Sequence, residues 1–318
     1  MAKNKIIIGI HGLGNKPPEV LLEDWWRLAI REGLSGIGAE RDFNFRLVYW
    51  ADILNEKPLD PDETDKDSDY FIKEKYIPAD HNNSKPQEES VLQKLSDKFN
   101  DLIFNKKLHE NFPSVTDWVI KNFFSELDIY LNEKTDLENG IAIPVKEVIN
   151  ERLKFELKQH RGESIMIIAH SMGSIIAYDV LTGMENEIEI DTLITIGSPL
   201  GVPYIVEKIK SDELKKLKTP EAVKKLWLNL TDPEDKLAVN YELNKIFLPN
   251  SSGVSPKGML IKNNYEINGD ANPHKSFGYL RTLELSYAVK DFTEPERNKL
   301  AKWLKDKLYY FKSFLGNK

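Results

Sequence analysis

Residues 165–173 read Ile165-Met166-Ile167-Ile168-Ala169-His170-Ser171-Met172-Gly173. An unbroken apolar run of this kind suits a strand buried on both faces. A serine follows at once, with small residues two positions before and two after it. That is the pattern G-x-S-x-G with Ala169 in place of the first glycine, and alanine still fits. The pattern predicts a sharp turn from strand to helix that thrusts the serine hydroxyl out over the sheet. The helix beginning at Met172 aims its positive end and free N–H groups at the same spot. A serine that merely caps a helix is the plainer alternative. The rest of the constellation favours a nucleophile.

The same organisation extends to both sides. Toward the N-terminus, Lys5 to Ile10 is a second apolar run, leading into Gly12-Leu13-Gly14. Pro17, Pro18 and Glu19 then open a helix with Leu21, Leu22, Trp25, Leu28 and Ala29 at helical spacing, and Phe43 to Trp50 reads as a strand. Toward the C-terminus, Thr192–Ile196 and Leu226–Leu230 are strands, and a helix runs from Met172 to Leu181. A closing helix is expected from Thr293, with Glu296 completing a capping box. Alternating strands and helices predict an α/β fold, a mostly parallel sheet with helices on both faces. Such sheets hold their sites at the carboxyl ends of the strands.

The stretch between the second strand and the nucleophile strand is long. Residues 51–160 are expected to form a helical cap or insertion within one domain spanning 1–318. Its first part, 56–90, is polar and reads as a loop or partly disordered segment. One apolar helical face follows at Val91, Leu92, Leu95, Phe99, Leu102 and Ile103. A second lies at Trp118, Val119, Phe123, Leu127 and Leu131, and a third helix runs from Pro144, read as its first residue, to about His160. Asp65, Asp67 and Asp69 imitate a calcium loop, but Tyr70 and Tyr76 stand where it needs glycine and glutamate. No spacing points to a metal.

An activated serine needs a base, an orienting acid and an oxyanion hole. Of the six histidines, His11 and His170 lie inside the two motifs and read as shaping turns. His81, His109 and His160 lie in polar surroundings ahead of the serine. His274, in the turn-rich Asn272-Pro273-His274, follows it in the order Ser…Asp…His and is the expected base. The acid should follow the strand LWLNL; Asp235 is the choice and Asp232 the alternative. The backbone N–H groups of Leu13 and Met172 are the expected oxyanion donors.

Composition narrows the function classes. The 318 residues carry a net charge of −7, 41% hydrophobic residues and no cysteine. Disulfides and thiol chemistry are excluded, and an acidic chain without a basic cluster argues against nucleic acid as partner. No stretch reaches the roughly 20 apolar residues of a transmembrane helix, and a soluble, cytoplasmic protein is expected. Oligomeric state is not legible.

Taken together, IHGLG at 10–14, AHSMG at 169–173, TIGSPLG at 195–201, TDPEDKLA at 231–238 and NPH at 272–274 resemble the lipase and esterase branch of the α/β-hydrolase superfamily. The resemblance implies Ser171, Asp235 and His274 as a triad, no cofactor, and hydrolysis of a small-molecule or lipid ester through an acyl-enzyme. An amidase, peptidase or thioesterase would use the same machinery. A non-catalytic binding protein of this fold is the alternative from another class.

Overall fold

The structure, a computed structural model, describes residues 3–79, 115–136, 142–185, 187–210 and 217–294. The described elements are, in chain order, β1 (Lys5–Ile10), α1 (Glu19–Gly36), β2 (Asn44–Val48), α2 (Ala51–Leu54), α3 (Val115–Asn132), β3 (Lys134–Asp136), β4 (Ala142–Pro144), α4 (Val145–Gln159), β5 (Ser164–His170) and α5 (Met172–Gly183). They continue with β6 (Ile190–Ile196), α6 (Pro203–Ile209), β7 (Leu217–Lys218), β8 (Val223–Thr231), β9 (Phe247–Leu248), β10 (Pro256–Leu260), β11 (Glu266–Ile267), β12 (Asp270–Ala271), α7 (Ser276–Leu280) and α8 (Leu283–Thr293).

Six strands form one sheet in the order β10-β8-β6-β5-β1-β2, every pairing parallel. Period-two alternation divides their side chains between two cores. Ile6, Ile8 and Ile10 of β1, with Ile165 and Ile167 of β5, pack beside residues of α4 and α5 such as Ile149, Leu153, Ile175 and Ile176. Ile7, Met166 and Ile168 face the other way, among Trp26 and Ile30 of α1 and Ala288 and Val289 of α8. Each fully buried side chain of this size contributes roughly 1.5–3 kcal/mol. This is the expected fold class.

Chain order sets the site. From β1 the chain runs outward to β2 and returns on the far side of β1 as β5. The carboxyl ends of β1 and β5 therefore flank a topological switch point, where sheets of this kind leave a crevice.

Several local expectations shift. Pro144 is the cap of α4 and not its first residue, with an extended backbone at φ −55°, ψ 132°. Thr293 is the last residue of α8, and Glu294 after it is extended. Its hydroxyl donates back to the Val289 carbonyl at 2.8 Å, and Glu296 lies outside the described residues. The apolar face at 91–103, with His81 and His109, also falls outside them.

Of the stretch 51–160, α4 lies in the sheet's flanking layer. Helix α3 is tied to it and to α5 where the Tyr130 hydroxyl meets Asn150 at 2.9 Å and Asp179 at 2.7 Å. Residues 56–79 run as a loop bonded at both ends. Leu59 N–H donates to Lys16 O at 2.8 Å, and Asn15 donates to Lys57 O at 2.9 Å. Farther on, Lys75 O accepts from the Tyr265 hydroxyl and Ile77 O from Arg281. The loop thus joins the segment after β1 to the segment around His274.

Candidate active site

Ser171 sits between β5 and α5 with φ 52° and ψ −124°, a region that costs a non-glycine residue on the order of 1–3 kcal/mol. The turn is pinned from both sides. Ser171 N–H donates to Ile196 O of β6 at 3.1 Å, and the Ser174 hydroxyl donates to Ser171 O at 2.6 Å. Gly173 is forced by packing, because a Cβ there would lie 2.6 Å from Ile10 O and 2.8 Å from His11 O. Gly12 is forced in the same way, its added Cβ falling 2.8 Å from the Cβ of Ser171. The loop after β1 therefore passes directly over the serine.

The structure brings Ser171, His274 and Asp235 together. His274 Nε2 lies 3.0 Å from Ser171 Oγ, and Nδ1 lies 2.9 Å from each carboxylate oxygen of Asp235. With Nδ1–H donating to the carboxylate, Nε2 is free to accept the serine proton. Asp235 is buried and accepts also from the Tyr279 hydroxyl at 2.7 Å and Leu237 N–H at 3.1 Å. Tyr279 in turn accepts from Asp232 N–H at 3.0 Å.

Asp232 points elsewhere. Its two oxygens accept from Glu234 N–H at 2.8 Å and Asn263 N–H at 2.6 Å. Burial pushes its carboxyl up to about 6, against these two amides, which favour the charge. Through Asn263 it reaches the segment around His274, since the Asn263 amide donates to Pro273 O at 2.9 Å and Lys275 O at 2.8 Å. The carbonyl between them, His274 O, accepts from His170 Nε2–H at 2.8 Å. Three consecutive carbonyls around His274 are thereby held.

Both motif histidines are locked neutral. Burial pushes His170 well below its ordinary range, helped by His274. Burial with Lys16 nearby pushes His11 down to about 3. His11 Nε2 accepts from Trp50 N–H at 3.0 Å, which leaves Nδ1–H to donate to Gly12 O at 2.7 Å. The N–H of a trans peptide points opposite to its C=O. Holding Gly12 O on His11 thus turns Leu13 N–H away from His11.

Sequence reasoning missed Tyr279, Asn263, Lys16 and Glu126. Lys16 Nζ donates to Leu13 O and, at 2.8 Å, to Gly14 O. Glu126 of α3 accepts from Gly14 N–H through both oxygens, at 2.9 and 2.8 Å. A glutamate on an amphipathic helix looks like a solvated residue, and nothing in its spacing marks it. Phe123 is core, while Phe124 is partly buried and meets Tyr204 edge-on at 5.7 Å. Among the described residues no group of acidic or histidine side chains is arranged to hold a metal ion, and no helix is long and apolar enough to cross a membrane.

The six-stranded parallel sheet with its flanking helices and the strand-to-helix turn are those of an α/β-hydrolase fold. Residues 131–276 match the family model of the PGAP1-like alpha/beta domain, a family of the α/β-hydrolase superfamily. The matched range holds Ser171, Asp235 and His274 and leaves out the loop after β1. No curated protein and no solved structure matches the chain.

Proposed function

We propose that this chain is a serine hydrolase that cleaves a carboxylic ester through an acyl-enzyme on Ser171. One observation carries the reading, the serine–histidine–aspartate relay with contacts of 3.0 and 2.9 Å on a serine held at φ 52°. In the reaction, Ser171 Oγ attacks the acyl carbon as His274 Nε2 takes its proton. Asp235 holds the tautomer and stabilises the imidazolium. The N–H groups of Leu13 and Met172 receive the oxyanion. His274 then protonates the leaving alcohol, and water attacks the acyl-enzyme by the reverse relay. The residues present supply every proton transfer this scheme needs.

Part of the 51–160 insertion serves as a wall of the site. Helix α3 reaches the oxyanion loop through Glu126, and residues 56–79 border the base through Glu74, which pairs with Lys275 at 2.9 Å. A chain without cysteine suits a reducing compartment, and the cytoplasm is the proposed location.

The test is a hydrolysis screen over p-nitrophenyl esters of graded acyl length, alongside a fluorophosphonate probe read by intact mass. Wild type should turn over at least one ester and take up a single adduct, both lost in Ser171→Ala. Turnover of amides or thioesters alone would move the leaving group. An adduct that persists in Ser171→Ala, or no turnover and no adduct in wild type, would sink the proposal in favour of a binding role.

A further inference from the structure

We propose that Lys16 and Glu126 form a charged clamp on the Leu13–Gly14 peptide that holds the Leu13 N–H where the oxyanion needs it, which makes both of them positioning residues. The inference rests on the hydrolase reading above and names how that site is kept in order.

The peptide joining Leu13 to Gly14 presents its C=O on one side and its N–H on the other. Lys16 Nζ holds the C=O, and the carboxylate of Glu126 holds the N–H with both oxygens. Each charge is matched to its partner, ammonium to carbonyl and carboxylate to amide, and such bonds are roughly twice as strong as neutral ones. The preceding peptide is held through Gly12 O by His11. The peptide planes on both sides of the Leu13 Cα are therefore fixed, and so are its φ and ψ. The clamp matters because Gly12 and Gly14 flank Leu13. Gly14 stands at φ 84°, and glycines leave a loop free to swing. Glu126 also occupies the Gly14 N–H, so the next amide along does not compete for the oxyanion.

The donor on this loop is a backbone N–H, which no substitution short of proline removes. What a substitution elsewhere can remove is its aim. Losing an oxyanion donor outright lowers kcat by about 10²–10³-fold, and a loosened donor should lower it by roughly 10–100-fold. The loss belongs in kcat and not KM, because the bond is made in the transition state.

Lys16 is also titratable within reach of working pH. Burial of its ammonium, with Lys275 nearby, pulls it down to about 8, against the pull of Glu126 and Glu74. The other titratable groups that feel its charge are His11 and His170, both neutral throughout this range. Above about pH 8 the clamp loses its charge, and the loop its fixed geometry.

The experiment measures kcat and KM for a p-nitrophenyl ester, and the rate of fluorophosphonate capture, from pH 6.5 to 9.5. The proteins are wild type, Lys16→Met, Lys16→Arg and Glu126→Ala, with thermal unfolding run on each. Lys16→Met and Glu126→Ala should lose kcat with KM within about twofold, and Lys16→Arg should keep more activity than Lys16→Met. Wild-type capture should slow above about pH 8, a limb missing from Lys16→Met. Folded variants with wild-type kcat, or a loss confined to KM, would overturn the clamp. Should neither variant fold, a wild-type capture rate that does not fall between pH 7 and 9.5 would overturn it alone. Wild type inert to both ester and probe would sink the hydrolase reading, and the clamp with it. An active wild type with active variants would sink only the clamp.

Discussion

At the scale of the residue, the two aspartates of the loop after β8 separate by what their oxygens face. Asp235 faces an imidazole N–H and a phenol, while Asp232 faces two backbone amides. Replacing Asp235 by asparagine puts an NH2 where the carboxylate should accept Nδ1–H, and favours the wrong imidazole tautomer. Turnover should fall on the order of 10⁴-fold, as in the serine-protease precedent, while folding survives. Asp232→Asn sets an NH2 against a backbone N–H, because both oxygens are already acceptors. It should lower stability by roughly 1–3 kcal/mol in urea denaturation and reduce turnover far less. Equal losses of turnover in both folded variants would refute this division of labour. That Ser171, His274 and Asp235 would meet could be read from the sequence, because chain order and strand ends constrain them. Tyr279 and Asn263 could not, since each meets its aspartate across 31 or more positions and neither belongs to a motif.

At the scale of the element, the strand-to-helix turn depends on how closely α5 approaches β1. The carbonyls of Ile10 and His11 sit where a Cβ on Gly173 would go. Backbone atoms cannot rotate aside as a side-chain end can. Gly173→Ala must therefore push α5 outward, at a cost of about 1–3 kcal/mol typical of overpacking. The shift would also carry the Met172 N–H off its mark. We expect a lower unfolding midpoint together with slower fluorophosphonate capture. Unchanged values for both would show that the approach is looser than the geometry demands. Elements bearing apolar runs were legible, because burial on both faces leaves β1, β5, β6 and β8 little room for polar residues. Strand β10 was not. Its sequence Pro256-Lys257-Gly258-Met259-Leu260 lies at the sheet edge, where half the hydrogen bonding is absent and a proline is tolerated. Thr293 misled for a different reason. Threonine followed three residues later by glutamate fits a helix start, but the same hydroxyl can bond back one turn within a helix, as it does here.

At the scale of the whole molecule, the parallel sheet gathers Ser171, Asp232, Asp235 and His274, with Lys16 of the loop after β1, at the carboxyl ends of its strands. That concentration costs stability there. Asp232 is raised toward about 6 by burial and Lys16 lowered toward about 8, so between these values both are charged in a setting that disfavours charge. The two work in opposite directions with pH. For Asp232 the folded chain holds its proton more tightly than the unfolded chain, so stability falls as pH rises from the ordinary carboxylate range through about 6. For Lys16 the unfolded chain holds its proton more tightly, so stability rises as pH climbs above about 8 toward 10.5. The second limb can be isolated by subtraction. Tyrosines such as Tyr130 and Tyr279 are held above their ordinary range by burial and oppose the gain as pH nears 10, but they are common to wild type and Lys16→Met and cancel between them. The difference in unfolding free energy, wild type minus Lys16→Met, should grow by roughly 1–2 kcal/mol between pH 8 and 9.5, as the linkage slope for one proton requires. Urea denaturation at half-unit steps of pH measures it. A difference that stays flat across that window would mean that the Lys16 ammonium is solvated well enough to titrate as in the unfolded chain. The fall in capture rate expected above pH 8 would then have to come from another group.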